Sequence, residues 1–523
     1  MPAADAPSSA PRRGWWIALA LAPVAVSFAL NAFAPPFSPD SWGYFELAHS
    51  FAADPYAIGT WRGYASAIPY SSSFPPLWPL LIAGADRLLD LGIHSGYLLT
   101  AAVFLAFALV AESTTRAAFG RRWLGGASAL LLFAFPPFQV ELLAARAIPL
   151  QLLLVALLLR VLVSDGPRPL LSAAALGALG GAVLMARFDA LFMAAGLVLA
   201  TPWLLRDWRA LPLAALAALA VTAPWVLYSL SHFDRVFATD NALVALSVDP
   251  REFVTNFHVV PPLSAGEAPR LWLWKLVLHV PALVGAVLLV MLNALPVSVL
   301  GVSAVRRHGR SAIVASLCEA AWWRQPQGRL SFLLALSLLP VGAYLITGYF
   351  DARYFSAPVW LCALAALLAL ADAARPGDAR LFAICGALAL VLATKPSVDV
   401  ARKEGRVWLE RPHLAFDPAL RDGREFEALV ACLDPMRPDV AVLFADATTA
   451  ARFGALSGHR GAMLPRNWAA LDRAEVAAFL QRFDVGYAAP DPRLRLPEGL
   501  GRPAAGACST RLIVLTPGDA GAR

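Results

Sequence analysis

Asp40 is the carboxylate whose place in the sequence most favours chemistry. It lies just beyond the first long apolar run, and Tyr44 follows one helical turn later on the same face. A carboxylate at a membrane surface is well placed to meet a lipid-linked substrate. The structural alternative is a helix start, in which Ser38 caps, Pro39 suits the first turn and Asp40 complements the helix dipole.

The segment Arg187-Phe188-Asp189 lies between two apolar runs with no polar loop around it. An arginine at mid-bilayer would cost about 2.5–3.5 kcal/mol, so we expect Arg187 at the outer interface or in a cavity. A guanidinium keeps its charge and offers a fixed fork of donors, so it can hold a phosphate dianion and stabilise it as it leaves. The alternative is a local ion pair with Asp189.

Arg353 and Tyr354 lie in a short aromatic turn between two late apolar runs. Arg353 is a second candidate to bind phosphate, and the alternative is an interfacial aromatic belt in which the arginine reaches towards water. Glu141 and Arg146 form either another functional pair or a structural ion pair, and the sequence does not decide between them.

These polar residues interrupt a chain that is too apolar for a soluble protein. Hydrophobic residues make up 59% of the 523 and charged residues 15%, against roughly 45–50% and about 25% in soluble domains. Because a spanning helix needs about 20 apolar residues, we predict an α-helical polytopic membrane protein with about eleven transmembrane helices. The apolar runs lie at about 15–34, 96–112, 123–143, 148–163, 169–186, 189–205, 210–230, 273–303, 330–349, 355–373 and 380–394.

The basic residues set the predicted orientation. With a cytoplasmic N-terminus and a retained first helix, the arginine-rich connections face the cytoplasm and the arginine-poor ones face outward. The protein is therefore predicted in the bacterial inner membrane, with everything after about residue 394 in the periplasm. The net charge of +7 is scattered between apolar runs, so nucleic acid is not predicted as a partner.

Two domains are expected. Residues 1–395 form the membrane domain, in which the first outer loop, 34–95, carries helices that lie in the interface. Residues 396–523 form a small periplasmic α/β domain, because their apolar runs shorten to strand length and alternate with helical stretches. This domain contains Cys432 and Cys508. A disulfide between them is chemically permitted in the periplasm, but the spacing gives no distance and the pairing is left open.

Several kinds of chemistry lack support. The chain contains no P-loop, HExxH or CxxC motif, and His459 and Asp446 lack the spacing of metal ligands. Nucleotide hydrolysis and zinc-protease chemistry therefore have no motif behind them.

The candidate residues together resemble the GT-C superfamily of glycosyltransferases. The resemblance is to the family 39 type, which includes protein O-mannosyltransferases and the lipid A aminoarabinose transferase, and it covers about residues 12–395. It rests on the order, spacing and common outer placement of four motifs: Asp40 with Tyr44, Phe74-Pro75-Pro76-Leu77, Arg187-Phe188-Asp189 and Arg353-Tyr354.

This resemblance implies a GT-C type fold and transfer of a hexosyl or pentosyl group from a polyprenyl-phosphate sugar. Arg187 and Arg353 would bind the donor phosphate, and Asp40 would act as general base on the acceptor hydroxyl, with inversion at the anomeric carbon. The implied partners are membrane lipids, the donor, and an envelope glycan, glycolipid or protein as acceptor. The remaining residues expected in the substrate site are Tyr44, Asp189 and Tyr354.

The sequence departs from the family pattern at two positions. Many members carry a second acidic residue directly after the first, where this chain has Ser41, and a His where this chain has Phe74. No cofactor is assigned, and a divalent metal stays an open alternative.

Two other functions fit a chain of this kind. A transporter or flippase would also have about eleven helices, but it favours repeated halves, and we find no convincing internal repeat. A noncatalytic lipid-binding scaffold would keep the fold and have no need of Asp40.

Overall fold

A computed structural model describes residues 39–53, 74–121, 123–164, 169–233, 236, 268–309, 323, 325–347, 351–372, 380–389, 391–392, 426–433, 440–463, 472–482 and 484–515. The first apolar run and the predicted domain boundary near residue 395 lie outside these residues.

Most of the described chain is helical. Short 3₁₀ turns at Phe188–Ala190 and Ala352–Phe355 each lead directly into a longer helix. The helices of the membrane part are α1 (Pro39–Ala53), α2 (Leu77–Leu89), α3 (Ile93–Phe119), α4 (Leu124–Phe133), α5 (Pro136–Leu143), α6 (Ile148–Val163), α7 (Pro169–Ala186), α8 (Leu191–Leu205), α9 (Ala210–Phe233), α10 (Ala268–Asn293), α11 (Leu295–His308), α12 (Pro326–Thr347), α13 (Ser356–Asp372) and α14 (Arg380–Ala389).

Several of these helices can cross a membrane. Within the described residues, six helical stretches are long and apolar enough, and a bent pair can provide a seventh. The prediction of a polytopic helical membrane protein is confirmed, whereas the count of eleven spans stays a prediction.

Two predicted single runs are broken into two helices. The run at 123–143 bends by 84° between α4 and α5, because Pro136 and Pro137 open α5 and the preceding Phe135 is extended. The run at 273–303 breaks at Ala294, and Pro296 opens the next helix, α11. The first break turns α5 so that Glu141 contacts the same two arginines as Asp40.

The C-terminal region is the predicted small α/β unit. Its sheet has the strand order β2 (Gly461–Met463), β1 (Ala441–Phe444), β3 (Val485–Ala488), β5 (Ile513–Leu515), β4 (Gly501–Pro503). Strand β1 pairs in parallel with β2 and β3, and β5 pairs antiparallel with β3 and β4. The first helix of the unit is a single turn. The elements are α15 (Glu427–Val430), β1 (Ala441–Phe444), α16 (Ala447–Ser457), β2 (Gly461–Met463), α17 (Arg473–Arg482), β3 (Val485–Ala488), β4 (Gly501–Pro503) and β5 (Ile513–Leu515).

Cys432 and Cys508 are joined in a disulfide, with their Cα atoms 5.7 Å apart. The bond connects the segment after α15 to the 3₁₀ turn between β4 and β5. It therefore ties two edges of the C-terminal unit that are 76 residues apart in sequence.

The C-terminal unit and the membrane part share one hydrophobic core. Phe444 and Phe453 belong to the same buried cluster as Phe51 and Trp42 of α1. The contact is made by α16, which packs directly against α1.

Close helix packing in the membrane part depends on glycines of α7. A Cβ at Gly177 would overlap the backbone carbonyl of Ala214 in α9, whereas a Cβ at Gly180 would make an ordinary contact of 3.6 Å with Leu197. Small residues that allow backbones to approach are a common device of membrane helix pairs.

We expect Gly177→Ala to lower the free energy of unfolding by about 1–3 kcal/mol, because a backbone carbonyl cannot move aside as a side chain can. Gly180→Ala, one turn away on the same helix, is the control and should leave it unchanged or raise it by up to about 1 kcal/mol, because its Cβ has room and alanine is the better helix former. Denaturant titration of both variants in detergent tests this. Equal stability of the two variants would contradict the packing described.

Candidate active site

Asp40 lies at the start of α1 and faces two arginines. Its Oδ2 is 3.1 Å from Nη1 of Arg353 and 3.5 Å from Nη2 of Arg146. The Asp40 side chain is 31% exposed, and among the residues that the structure describes no donor bonds its other oxygen, Oδ1. One carboxylate oxygen is thus bonded by two guanidinium groups, and the side chain as a whole is partly accessible.

Glu141 forms ion pairs with the same two arginines. Its Oε1 is 2.6 Å from Nη1 of Arg146 and 3.2 Å from Nη1 of Arg353, and its side chain is only 2% exposed. A carboxylate this deeply buried needs such partners, because removing one partner of a buried pair costs about 3–5 kcal/mol. Glu141 therefore fixes the position of both guanidinium groups.

The backbone brings Glu141 and Arg146 together as well. The end of α5 has the Schellman arrangement, in which the Arg146 N–H donates to the Glu141 carbonyl at 3.1 Å and the Ala145 N–H to the Leu142 carbonyl at 3.3 Å. Ala145 occupies the left-handed position with φ of 51°, a position where glycine is usual. A strained turn of this kind persists only when its surroundings hold it.

Two side chains from residues 34–95, the predicted first outer loop, hold this turn. The Ser41 hydroxyl donates to the carbonyl of Ala144 at 2.6 Å, and the Trp78 indole N–H donates to the carbonyl of Ala145 at 2.9 Å. Both donors are fully buried. The departure from the family pattern at Ser41 thus has a structural account, because a second carboxylate at this buried position would face a carbonyl oxygen.

The motifs Arg187-Phe188-Asp189 and Arg353-Tyr354 each lie at a short 3₁₀ turn. Arg187 lies just before a 3₁₀ turn, and its Nε and Nη2 bond both oxygens of Asp189 at 2.8–3.3 Å. Asp351 precedes the second 3₁₀ turn, where it accepts from the backbone N–H of Arg353 at 3.0 Å and pairs with its Nε at 3.0 Å. In each case an aspartate two residues away holds the guanidinium.

Tyr354 joins these two turns. Its ring lies 4.6 Å from the guanidinium carbon of Arg187 and 5.1 Å from that of Arg353, and its hydroxyl is 3.2 Å from Nη2 of Arg353. Both arginines are therefore beside one aromatic ring, in the arrangement of a cation–π pair. Tyr354 thus connects the turn that carries Arg187 with the turn that carries Arg353.

Tyr44 closes the site on the α1 side. It is buried, and its ring packs on Phe74 with the centroids 4.4 Å apart. Burial raises the pKa of Tyr44 above its ordinary value of 10.0, and the nearby Arg187 opposes that rise. Tyr44 is therefore a neutral phenol near pH 7, so it can donate a hydrogen bond and does not act as a base.

The structure brings all six predicted site residues of the membrane part into one cluster, although their individual roles stay predictions. Sequence reasoning named Glu141 and Arg146 without assigning them to the site, and it treated Ser41 only as a departure. Among the described residues, no group of three or more His, Cys, Asp and Glu side chains is arranged to hold a metal ion. A divalent metal stays an untested alternative.

Comparison with solved structures gives the fold. The chain is similar to ArnT from Cupriavidus metallidurans bound to undecaprenyl phosphate, with a TM-score of 0.53 and 15% identity, over 97% of this chain and 98% of that one. The chain has the GT-C fold.

Two further similarities are lower. ArnT from the same organism in the apo state gives a TM-score of 0.49 at 14% identity, covering 96% of this chain and 98% of that one. The archaeal oligosaccharyltransferase AglB from Archaeoglobus fulgidus, in complex with an inhibitory peptide and a dolichol-phosphate, gives 0.43 at 16% identity, covering 91% and 69%. No family model and no curated protein matches the sequence.

Within this GT-C fold, the Ser41 hydrogen bond is open to a direct test. We expect Ser41→Ala to lower the free energy of unfolding by about 1–3 kcal/mol, because it leaves the buried Ala144 carbonyl without its donor. Ser41→Asp should cost more, because it adds a buried charge facing that carbonyl.

Ser164→Ala is the matched control, since the Ser164 hydroxyl also donates to a carbonyl, that of Val161 at 3.0 Å, but at an exposed position. Thermal unfolding of the three variants in detergent provides the comparison. If Ser41→Asp were as stable as Ser164→Ala, the buried contact would be wrong.

Proposed function

We propose that this protein is a membrane glycosyltransferase that moves a sugar from a polyprenyl-phosphate donor to an envelope acceptor on the periplasmic face. The observation that carries the proposal is the contact between Asp40 and Arg353, 3.1 Å apart at the mouth of the cluster. A group that can accept a proton thereby lies directly beside a group that can hold a phosphate. The GT-C fold supports the same assignment.

Arg187 and Arg353 bind the donor phosphate in this proposal. They lie on different turns but share the ring of Tyr354, so their guanidinium groups can meet one phosphodiester from two sides. Guanidinium groups suit this task because they stay charged and donate in a planar fork. Arg146 adds a third positive charge beside Asp40.

The reaction is a single displacement. The acceptor oxygen forms a bond to the anomeric carbon while the bond from that carbon to the phosphate oxygen breaks, so the configuration inverts. Asp40 takes the proton of the acceptor hydroxyl, and the bonding electrons leave with the phosphate. General-base assistance of this kind contributes about 10²–10⁴-fold in rate.

The charges in the site balance through this step. The donor phosphodiester carries one negative charge, and the leaving polyprenyl phosphate gains a second as Asp40 loses its own by protonation. Arg353 is already within 3.1 Å of Asp40, so it can shift from the neutralised carboxyl to the phosphate. This exchange places positive charge where negative charge develops, which is the general basis of electrostatic catalysis.

The two carboxylate oxygens of Asp40 have different roles in this proposal. Oδ2 is held by Arg353 and Arg146, which fixes the orientation of the carboxylate. Oδ1, which no donor bonds among the described residues, is the oxygen that receives the proton in this proposal. Tyr44, Asp189 and Tyr354 orient the substrate and the arginines around this centre.

An apolar groove beside the site suits the polyprenyl chain. Its volume is about 710 Å³, and it begins at Phe355, two residues from Arg353. From there it follows Pro358, Val359 and Cys362 of α13, facing apolar side chains of α10 and α11. A lipid whose phosphate lies at Arg353 can therefore extend its chain along this groove.

The cellular arrangement follows from the predicted topology. The arginine distribution supports a cytoplasmic N-terminus in the bacterial inner membrane, with the site and the domain at 396–523 in the periplasm. The acceptor is an envelope glycan, glycolipid or protein, and the group transferred is a hexosyl or pentosyl unit.

Asp40→Asn should reduce transfer by at least 100-fold, because the amide keeps the shape of the carboxylate but cannot take the proton. The assay uses radiolabelled polyprenyl-phosphate sugars and measures label in the lipid, glycan and protein fractions. The control is Asp207→Asn in the turn between α8 and α9, where the carboxylate accepts from the Arg209 N–H at 2.9 Å. Equal transfer by wild type and Asp40→Asn would remove Asp40 from catalysis, and no transfer by wild type with any donor would favour a transporter or a scaffold.

Arg353→Lys should lower kcat about 10- to 100-fold, equivalent to about 1.4–2.7 kcal/mol, because lysine keeps the charge but loses the fork. Arg353→Gln should lower it further. Initial rates across donor concentrations measure both effects. Arg121→Gln is the control, since Arg121 also pairs with an aspartate, Asp372 at 2.9 Å, but in an exposed position. Transfer by Arg353→Gln at the wild-type rate would exclude the phosphate-binding role.

A further inference from the structure

The helix that carries Asp40 has two opposite faces. Each residue turns an α-helix by about 100°, so Asp40 and Tyr44 lie on one side of α1, about 40° apart. Trp42, Glu46 and His49 lie on the other side, about 180–240° from Asp40. The first face points to the arginine cluster, and the second meets the C-terminal unit.

Helix α16 of that unit packs on the second face. A Cβ at Gly454 would overlap the carboxyl group of Glu46 and come within 2.8 Å of its Cγ. A Cβ at Gly458 would lie 3.0 Å from Nε2 of His49. The guanidinium of Arg452 lies 5.7 Å from the ring of Trp42, so the contact runs along the whole second face of α1.

Gly454 is the residue that allows this close approach. Glu46 is only 1% exposed, so its side chain has no solvent space into which it could retreat. The absence of a side chain at Gly454 therefore sets how closely α1 and α16 approach. Any larger residue there must push the two helices apart or expel Glu46 from its buried position.

The position of α16 is itself fixed by the C-terminal unit. Asp446 caps its first turn, accepting from the Thr449 N–H at 2.9 Å and the Thr449 hydroxyl at 3.0 Å. On its inner side the Phe453 ring packs between Phe426 at 5.2 Å and Phe444 at 5.0 Å. A helix held in this way can act as a firm support for its neighbour.

We propose that α16 is a positioning element for Asp40, so that the C-terminal unit is part of the catalytic apparatus in addition to any part it has in acceptor binding. This inference rests on the proposed function, since it assigns a task within that same site. Gly454 and Glu46 are positioning residues, because they act through α1 and not on the substrate. Misplacement of a catalytic group by about 1 Å can cost about 100-fold in rate, and a displaced α1 would move Asp40 while the arginines on other elements stay in place.

The test compares Gly454→Ala, Glu46→Ala and the double variant in the full-length protein. Gly454→Ala should lower kcat about 10- to 100-fold and leave the donor KM within about 2-fold, because the phosphate-binding arginines do not lie on α1. The double variant should recover most of the lost kcat, since removing the Glu46 carboxyl makes room for the new methyl group. Coupling of this kind is what a double-mutant cycle detects between residues in contact.

Ala478→Gly is the control for general loss of stability. Ala478 is exposed on α17, so glycine there destabilises the C-terminal unit by about 1 kcal/mol without touching α1. A loss of kcat in Ala478→Gly equal to that in Gly454→Ala would overturn the inference. So would an unchanged kcat in Gly454→Ala, or the absence of recovery in the double variant.

Hydrogen exchange of the α1 amides provides a readout that does not depend on activity. Gly454→Ala should speed exchange in α1, and the double variant should restore protection. If wild type transfers no sugar, the proposed function fails, and exchange alone then decides on the contact. Unchanged protection of the α1 amides in Gly454→Ala would overturn the inferred contact between α1 and α16.

Discussion

Charge balance in a largely buried site is the constraint on which the architecture depends. Three arginines, Arg146, Arg187 and Arg353, lie among four carboxylates, and none of the three guanidinium side chains is more than 15% exposed. Charges in such surroundings are tolerated only when they are paired. The carboxylates therefore hold the three arginines in place.

For these charges to pair, elements that are distant in sequence must be positioned accurately relative to one another. The break at Pro136 turns α5 inward, and the Schellman turn at its end brings Arg146 back onto Glu141. A Cβ at Gly96 would overlap the Phe45 ring, so α1 also lies very close to α3. Ser41 of α1 donates a hydrogen bond to the turn between α5 and α6, and α16 packs on the face of α1 that lies opposite Asp40. Helix α1 is therefore supported from several directions. The Asp40 carboxylate thus lies on a short helix that is held by packing on most of its sides.

Part of this site could be predicted from the sequence, because charged residues in an apolar chain carry a large energetic cost. Arg187 and Arg353 stand out because an arginine in an apolar chain is costly and so calls for a function or a partner. Asp40 stands out by its position directly after an apolar run. The break in the run at 123–143 could also have been anticipated, since two consecutive prolines cannot continue a helix.

The rest depends on contacts between residues far apart in the chain, which no local pattern reveals. Nothing in the sequence indicates that Ser41 donates to the carbonyl of Ala144, 103 residues away. The same holds for the approach of Gly454 to Glu46, because a glycine within a helical stretch reads as a weak helix former and not as a contact. The disulfide between Cys432 and Cys508 could not be predicted either, because the sequence does not give the distance between the two cysteines.

The most direct test of the account is a cryo-EM structure of the wild-type protein with polyprenyl phosphate bound. The account predicts the phosphate between Arg187 and Arg353, the lipid chain in the groove that begins at Phe355, and Nη1 of Arg353 moved from Oδ2 of Asp40 to a phosphate oxygen. A phosphate bound away from both arginines, with the pair between Asp40 and Arg353 intact, would contradict it.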